Sequence, residues 1–348
     1  MRTVSWGGDH IALIDQRALP WEKKQRLLFT ARETAEAITD MTVRGAPAIG
    51  VTAAFGMALA ALESDAADRP LLLADLEEAG AFLKAARPTA VNLMWAVDHM
   101  LAAARAMDDA SADAMRAALI RRAEEMADDD VRINQHIGRH GAALIADGAV
   151  VLHHCNTGAL AAVDYGTALG VIRTAHEAGR RFHVLLDETR PRLQGSRLSA
   201  WELEEYGISY DIVPDTAAGY YMARGEVSLC IVGADRIAAN GDFANKIGTY
   251  QVAVLAQAHG IPFYTAAPRS TIDRTIAHGG LIPIEERDKA EVLAPYGLAI
   301  APAHYRARNP AFDVTPHRLL SGIITECGIL RAPFTDSIAA AMDDTSAL

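Results

Sequence analysis

From residue 149 onward the chain alternates short apolar, β-branched runs with stretches of helical period, and that alternation restricts it to a narrow set of folds. The runs are AVVLHH (149–154), FHVLL (182–186), ISYDIV (208–213), VSLCIV (227–232) and IPFYTA (261–266). Runs this uniformly apolar suit strands buried on both faces, and a helical segment after a strand is what a parallel crossover requires. The pattern predicts βαβ units and an α/β parallel sheet covered by helices on both sides. A last helix is expected behind Thr315, with Pro316 at its first position and Gly328 beyond its end.

The first 130 or so residues read differently. Residues 70–86 (PLLLADLEEAGAFLKAA) and 112–127 (ADAMRAALIRRAEEMA) place apolar residues three and four apart, the helical spacing. Asp128-Asp129-Asp130 is read as the start of a further helical stretch, and the period changes after Asp147-Gly148. The expected organisation is a mostly helical N-terminal domain over 1–130 and a parallel-sheet domain over 131–348.

Charge and cysteine content then narrow the function classes. Lys and Arg number 33 against 44 Asp and Glu, a net charge of −11, which opposes attraction to nucleic acid backbones and to anionic membranes. The longest uncharged stretch, Gly45 to Leu62, is rich in Ala and Gly and reads as a buried helix rather than a membrane span. Cys155, Cys230 and Cys327 form no CxxC pair, so neither a disulfide framework nor a zinc site is expected. His153, His154 and Cys155 are consecutive on a strand and point alternately to its two faces, so they cannot share one metal ion. The N-terminus has no basic region followed by an apolar one, and a cytoplasmic location is expected.

In an open parallel sheet, ligands bind beyond the carboxyl ends of the strands. The residues just after three of the runs are polar: Cys155-Asn156-Thr157-Gly158, Asp187-Glu188-Thr189-Arg190 and Gly233-Ala234-Asp235-Arg236. Cys155 reads either as a small buried hydrophobe or, at the start of a helix, as a thiol activated by backbone N–H groups. Asp235 reads either as a cap or partner of Arg236, or as a proton donor if it faces a closed apolar crevice. Asn245-Lys246, at the entry to the next helix, reads as an anion site or as a solvated surface pair; Lys246 is one of five lysines in the chain. Arg44, before Gly45-Ala46-Pro47, and Arg87, before Pro88, are further candidate anion clamps. Neither GxGxxG after a strand nor GxxxxGK[ST] occurs, so no nucleotide cofactor is expected and a nicotinamide-dependent dehydrogenase is disfavoured.

The blocks VRGAPAIG (43–50), RPTAVNLMW (87–95), HHCNTGALAAVDYGTALGVI (153–172), DETRPRLQGSRLSAWEL (187–203), GADRIAANGDFANKIGTY (233–250) and IPIEERD (282–288) together strongly resemble the S-methyl-5-thioribose-1-phosphate isomerase family. The resemblance runs in the family's order from about residue 14 to the expected last helix. The superfamily also holds ribose-1,5-bisphosphate isomerases and regulatory subunits of the translation initiation exchange factor, and the long DETRPRLQGSR and GADRIAANGD blocks look like the isomerase branch. The resemblance implies a helical N-terminal domain, a Rossmann-like C-terminal domain, a homodimer, a sugar-phosphate substrate and a place in methionine salvage. It puts the proton donor on Asp235 and the catalytic thiol on Cys155. Substrate contacts fall on Arg44, Gly45, Ala46, Arg87, Gln194, Asn245 and Lys246; Gly45, Ala46 and Gln194 come from the resemblance alone.

In such a substrate the phosphate is esterified to the anomeric oxygen, so the ring cannot open to a free aldehyde. An acid must protonate the ring oxygen as its bond to C1 breaks, and hydrogen must then move from C2 to C1. It moves either as a proton through an enediol or as a hydride, and the sequence leaves both routes open. His153, Pro214-Asp215-Thr216 and the pair Tyr220-Tyr221 depart from the family's pattern. They leave open a different 5-substituent, such as that of 5-deoxyribose 1-phosphate. A non-catalytic sugar-phosphate-binding regulatory protein is the alternative from a different class.

Overall fold

The computed structural model describes residues 1–88 and 90–343. Contacts divide the chain into two compact units, Met1–Arg132 with Ala159–Asp164, and Ile133–Gly158 with the chain from Tyr165 onward. The division differs from two consecutive segments, because six residues following the Cys155 loop return to the first unit.

The first unit opens with a three-stranded antiparallel meander, β1 (Val4–Trp6), β2 (Ile11–Ile14) and β3 (Gln25–Leu28), which the sequence reading did not anticipate. Helices α1 (Ala31–Thr39), α2 (Ala46–Glu63), α3 (Arg69–Ala85) and α4 (Val91–Arg105) follow. α2 is the uncharged stretch, and every residue from Ala48 to Ala61 is buried. Its small residues let neighbours approach closely: a Cβ at Gly56 would lie 2.8 Å from the Thr34 methyl. Among the described residues it is the one helix long and apolar enough to cross a membrane, and it forms the centre of a protein core instead.

The acidic run does not start a new helix. α5 runs unbroken from Ala112 to Ala142, because each aspartate has a partner that removes the repulsion. Asp128 meets Arg2, Asp129 meets Arg132 one turn on, and Asp130 accepts the Val163 N–H at 2.8 Å.

The second unit carries β4 (Val150–His153), α6 (Ala168–Glu177), β5 (His183–Asp187), α7 (Ala200–Tyr206), β6 (Tyr210–Val213), α8 (Ala218–Ala223) and β7 (Leu229–Val232). Then come the hairpin β8 (Arg236–Ala238) and β9 (Phe243–Lys246), α9 (Thr249–Ala258) and β10 (Phe263–Ala266). The chain continues through β11 (Ile272–Asp273), α10 (Ala290–Leu293), β12 (Phe312–Thr315), β13 (Gly322–Thr325), β14 (Gly328–Leu330) and α11 (Phe334–Asp343). All five apolar runs are strands of one seven-stranded sheet, in the order β14-β13-β10-β7-β4-β5-β6. Its strands are parallel except for the edge pair β13–β14.

Counted along the sheet, its parallel strands follow the doubly wound order 3-2-1-4-5-6, whose switch point lies between β4 and β7. Leu152, Cys230 and Phe263 pack on one face with Val252 and Ala256 of α9; Val151, Ile231 and Tyr264 pack on the other with Leu169 and Ile172 of α6. Alternate side chains thus enter separate cores, which is why the strands read as uniformly apolar.

The expected last helix behind Thr315 is absent. Thr315 ends β12, paired with Phe243, Pro316 leads into a single 3-10 turn at His317–Leu319, and Gly322–Thr325 is a buried strand beside β10. Cys327 sits in the turn between β13 and β14, not in a helix.

Candidate active site

β4 and β7 end side by side, so the residues that follow them meet at the switch point. Cys155 lies two residues beyond the end of β4 and adopts φ +73°, a left-handed conformation unusual for a side chain with a Cβ. Its N–H donates to Thr189 Oγ1 at 2.9 Å, and its carbonyl accepts from Ser199 Oγ at 2.8 Å. Thr189 is itself at φ +64°, held by Asp215, whose carboxylate accepts the Thr189 and Arg190 N–H groups at 2.7 Å each. Two residues in the left-handed region are thus joined by a hydrogen bond, and backbone strain of this kind clusters at functional sites. No helix begins at Cys155; the chain makes a 3-10 turn at Ala159–Ala161 and α6 starts only at Ala168. Cys155 therefore gains no activation from a helix N-terminus, contrary to the expectation from its position after the strand.

Asp235 stands at the foot of the β8–β9 hairpin, its N–H donating to Ala244 O at 2.8 Å. Its side chain is exposed on this chain rather than enclosed in an apolar crevice. Asn245 and Lys246 lie on β9, before the start of α9, and both are buried. Asn245 Nδ2 donates to Thr249 Oγ1 at 2.9 Å. Lys246 Nζ donates to Ala311 O at 2.7 Å and stands 4.5 Å from the centre of the Phe312 ring. Burial, aided by the Arg287 guanidinium, lowers the Lys246 ammonium to about 8, while the negative charges of Cys155, Asp235 and Glu291 oppose the shift. Gln194 is buried at the mouth of the π-helical turn Gly195–Ser199, one turn beyond Thr189, and its Oε1 has no hydrogen-bond partner among the described residues.

The remaining expected substrate contacts lie in the first unit. Arg44 and Gly45 precede α2 and Ala46 opens it, while Arg87 follows α3. Gly45 has φ +93°, and a Cβ there would fall 2.4 Å from the Ala161 backbone. Only glycine fits. Ala161 belongs to the six-residue continuation of the Cys155 loop, so the VRGAP block is packed on that continuation.

Several residues that position the site escaped the sequence reading. Asn156 Nδ2 donates to Glu202 Oε1 at 2.9 Å and to Ser199 Oγ at 3.1 Å. His153 is fully buried with Nδ1 against Ile231 O at 2.8 Å, and burial lowers it to about 4, so it is neutral. His154 faces Asp187 Oδ2 at 2.8 Å through Nδ1 and Ile247 O at 2.9 Å through Nε2. Burial raises the Asp187 carboxyl, with His154 opposing; for His154 burial works downward but Asp187 outweighs it. Donor atoms of His154, Asp187 and Asp215 lie within 4.8 Å of one another, as metal ligands would. Both His154 nitrogens and both Asp215 oxygens have protein partners, while buried Asp187 Oδ1 has none among the described residues, so the trio is a hydrogen-bonded frame with one open oxygen. The motif HHCN carries no local signal for this frame, because its partners come from the end of β5 and from the segments after β6 and β9. Tyr221 packs against the sheet core with Val252, and Tyr220 is exposed with Arg224 over its ring.

Residues 42–332 match the Initiation factor 2 subunit family. The chain is 54% identical over 337 residues to the methylthioribose-1-phosphate isomerase of Synechococcus sp., covering 97% of each chain. It belongs to the methylthioribose-1-phosphate isomerase family. The crystal structure of 5-methylthioribose 1-phosphate isomerase from Pyrococcus horikoshii superposes with a TM-score of 0.93 at 46% identity, over 98% of this chain and 96% of that one. A protein of A. fulgidus described as translation initiation factor eIF-2B, subunit delta, superposes with a TM-score of 0.89 at 42% identity, over 99% of this chain and 100% of that one. The isomerase of Pyrococcus horikoshii and the A. fulgidus protein thus share one architecture with this chain.

Proposed function

We propose that the chain converts 5-methylthioribose 1-phosphate to 5-methylthioribulose 1-phosphate, as a cytoplasmic homodimer serving methionine salvage, with Asp235 as acid and Cys155 as its catalytic partner. The observation that carries this reading is the convergence of Cys155, Asp235 and Lys246 at the switch point of a sheet whose isomerase relatives match along nearly its whole length. Asp235, exposed at the hairpin foot, can take a proton from solvent and deliver it to the ring oxygen. To Cys155 we assign the carbon side of the reaction, where hydrogen leaves C2 and arrives at C1. The buried Lys246 ammonium supplies a fixed positive charge for phosphate, whose desolvated attraction exceeds that of an exposed lysine. To Arg44, Gly45, Ala46, Arg87, Gln194 and Asn245 we extend the substrate-binding role that the family resemblance gives them.

The test is an NMR assay without added metal or cofactor, using 5-methylthioribose 1-phosphate, 5-deoxyribose 1-phosphate and ribose 1,5-bisphosphate in parallel. We expect the 1-phosphoketose from the methylthio sugar at the highest kcat/KM. Run in D2O, deuterium at C1 marks the enediol route and retention of the original hydrogen marks the hydride shift. No turnover of any of the three by folded protein would reject the reading and leave the second one, a sugar-phosphate-binding subunit, which the likeness to the A. fulgidus protein favours.

Lys246 gives this function a pH signature. Its ammonium is lowered to about 8 by burial, so the free protein loses the anion-binding charge as pH rises through that value. The expected log kcat/KM falls by about one unit per pH unit above the break, which is that of the free enzyme. A profile flat to pH 10 would remove Lys246 from substrate binding.

A further inference from the structure

His154 joins the two segments that carry the thiol and the ammonium. It precedes Cys155, and its ring crosses to the backbone directly after Lys246, where Nε2 meets Ile247 O at 2.9 Å. A carbonyl oxygen only accepts, so Nε2 carries a hydrogen, and the one remaining proton is shared between Nδ1 and Asp187 Oδ2 at 2.8 Å. The ring is fully buried and closely fitted: a Cβ on Gly248 would lie 2.8 Å from His154 Cε1. Gly248 has φ +105°, and its N–H donates to Asp313 Oδ2 at 2.7 Å, so the turn receiving the ring is itself anchored. On the other side, Asp187 O accepts from Thr189 Oγ1 at 3.0 Å, and that same hydroxyl accepts the Cys155 N–H. The imidazole therefore closes a loop of hydrogen bonds around Cys155 and ends on the turn directly after the strand of Lys246.

We propose that His154 is a positioning residue whose imidazole, braced by Asp187, ties the Cys155 loop to the Ile247–Gly248 turn and so holds the thiol and the Lys246 ammonium in register. The inference rests on the isomerase reading for its kinetic consequence but not for its structural one. Asparagine at 154 can occupy the place of Nδ1 and reach Asp187, but it is too short to reach Ile247 O. Glutamine places an amide where Nε2 was and can restore that tie. A residue that merely filled space would not distinguish the two.

The substrate-free arm is hydrogen exchange in the full-length protein, read on peptides covering 154–158 and 245–249. In His154→Asn both segments are expected to exchange at least ~10-fold faster, together, as one local opening. His154→Gln is expected to bring both back to within about threefold of native. The kinetic arm follows the isomerase reaction: kcat falls ~10- to 100-fold in His154→Asn with KM changed by less than about threefold, and recovers in His154→Gln. Should His154→Asn fail to fold, His154→Gln alone decides, because its exchange and kcat must stay within about threefold of native. Loss of the same size in both variants, or faster exchange in one segment without the other, would overturn the proposal. If native protein shows no turnover, the exchange arm still tests His154 while the isomerase reading fails separately.

Discussion

Asp235→Asn is expected to lower kcat by at least ~10²- to 10⁴-fold while KM stays close to native, the loss typical of removing a general acid. The amide has the shape of the carboxyl and can still hydrogen-bond the ring oxygen, but it has no proton to give. The substitution removes a charge that supports the Lys246 ammonium, so the comparison is made below pH 7, where that ammonium stays charged. The Asp235 side chain is exposed, and the local backbone is held by the Asp235 N–H donating to Ala244 O, which asparagine retains. The melting temperature should therefore be native, so that the lost rate is read as lost proton transfer. Steady-state kinetics on the methylthio sugar check this, and a fully active variant would take the acid role away from Asp235.

Cys155→Ala is expected to cost a comparable ~10²- to 10⁴-fold in kcat, again with little change in KM. What positions Cys155 is its main chain: the N–H goes to Thr189 and the carbonyl receives Ser199. Alanine keeps both bonds and experiences the same left-handed backbone, so the variant removes a sulfur and little else. Cys230 offers an internal contrast. It is fully buried in the sheet, where burial pushes its thiol far up, so replacing it by alanine tests packing rather than chemistry. Retention of native kcat in Cys155→Ala would show that hydrogen moves between C2 and C1 without the thiol.

The strands of the main sheet were legible because a strand covered on both faces is apolar at every position, and Val151-Leu152 or Cys230-Ile231-Val232 needs no partner to be recognised. The loops beyond the strand ends were legible only as residue types. That Cys155 sits at a positive φ, not at a helix start, depends on Thr189 and Asp215, which arrive from other strands and leave no mark near position 155. Lys246 looked like a helix-entry lysine; its burial comes from β12, which brings Ala311 and Phe312 alongside. The two failed helix boundaries share a cause. At Thr315 and Pro316 the capping signals were real but local, and pairing of β12 and β13 within two sheets outweighed them. At Asp128 the charge run would have ended an isolated helix, but Arg2, Arg132 and the Val163 N–H neutralise it.

The six residues Ala159–Asp164 have a consequence for how such a chain can be inherited. Leu160 and Val163 are fully buried, and Thr3 Oγ1 donates to Ala162 O at 2.8 Å, so this segment is part of the first unit's fabric although it directly continues the Cys155 loop. A gene fusion or exchange with its seam near residue 132 would leave that apolar segment without the bed it was shaped for, beside the residue proposed as the reactive thiol. The two units are therefore not interchangeable modules. A seam between them would have to spare the stretch from Cys155 to Asp164.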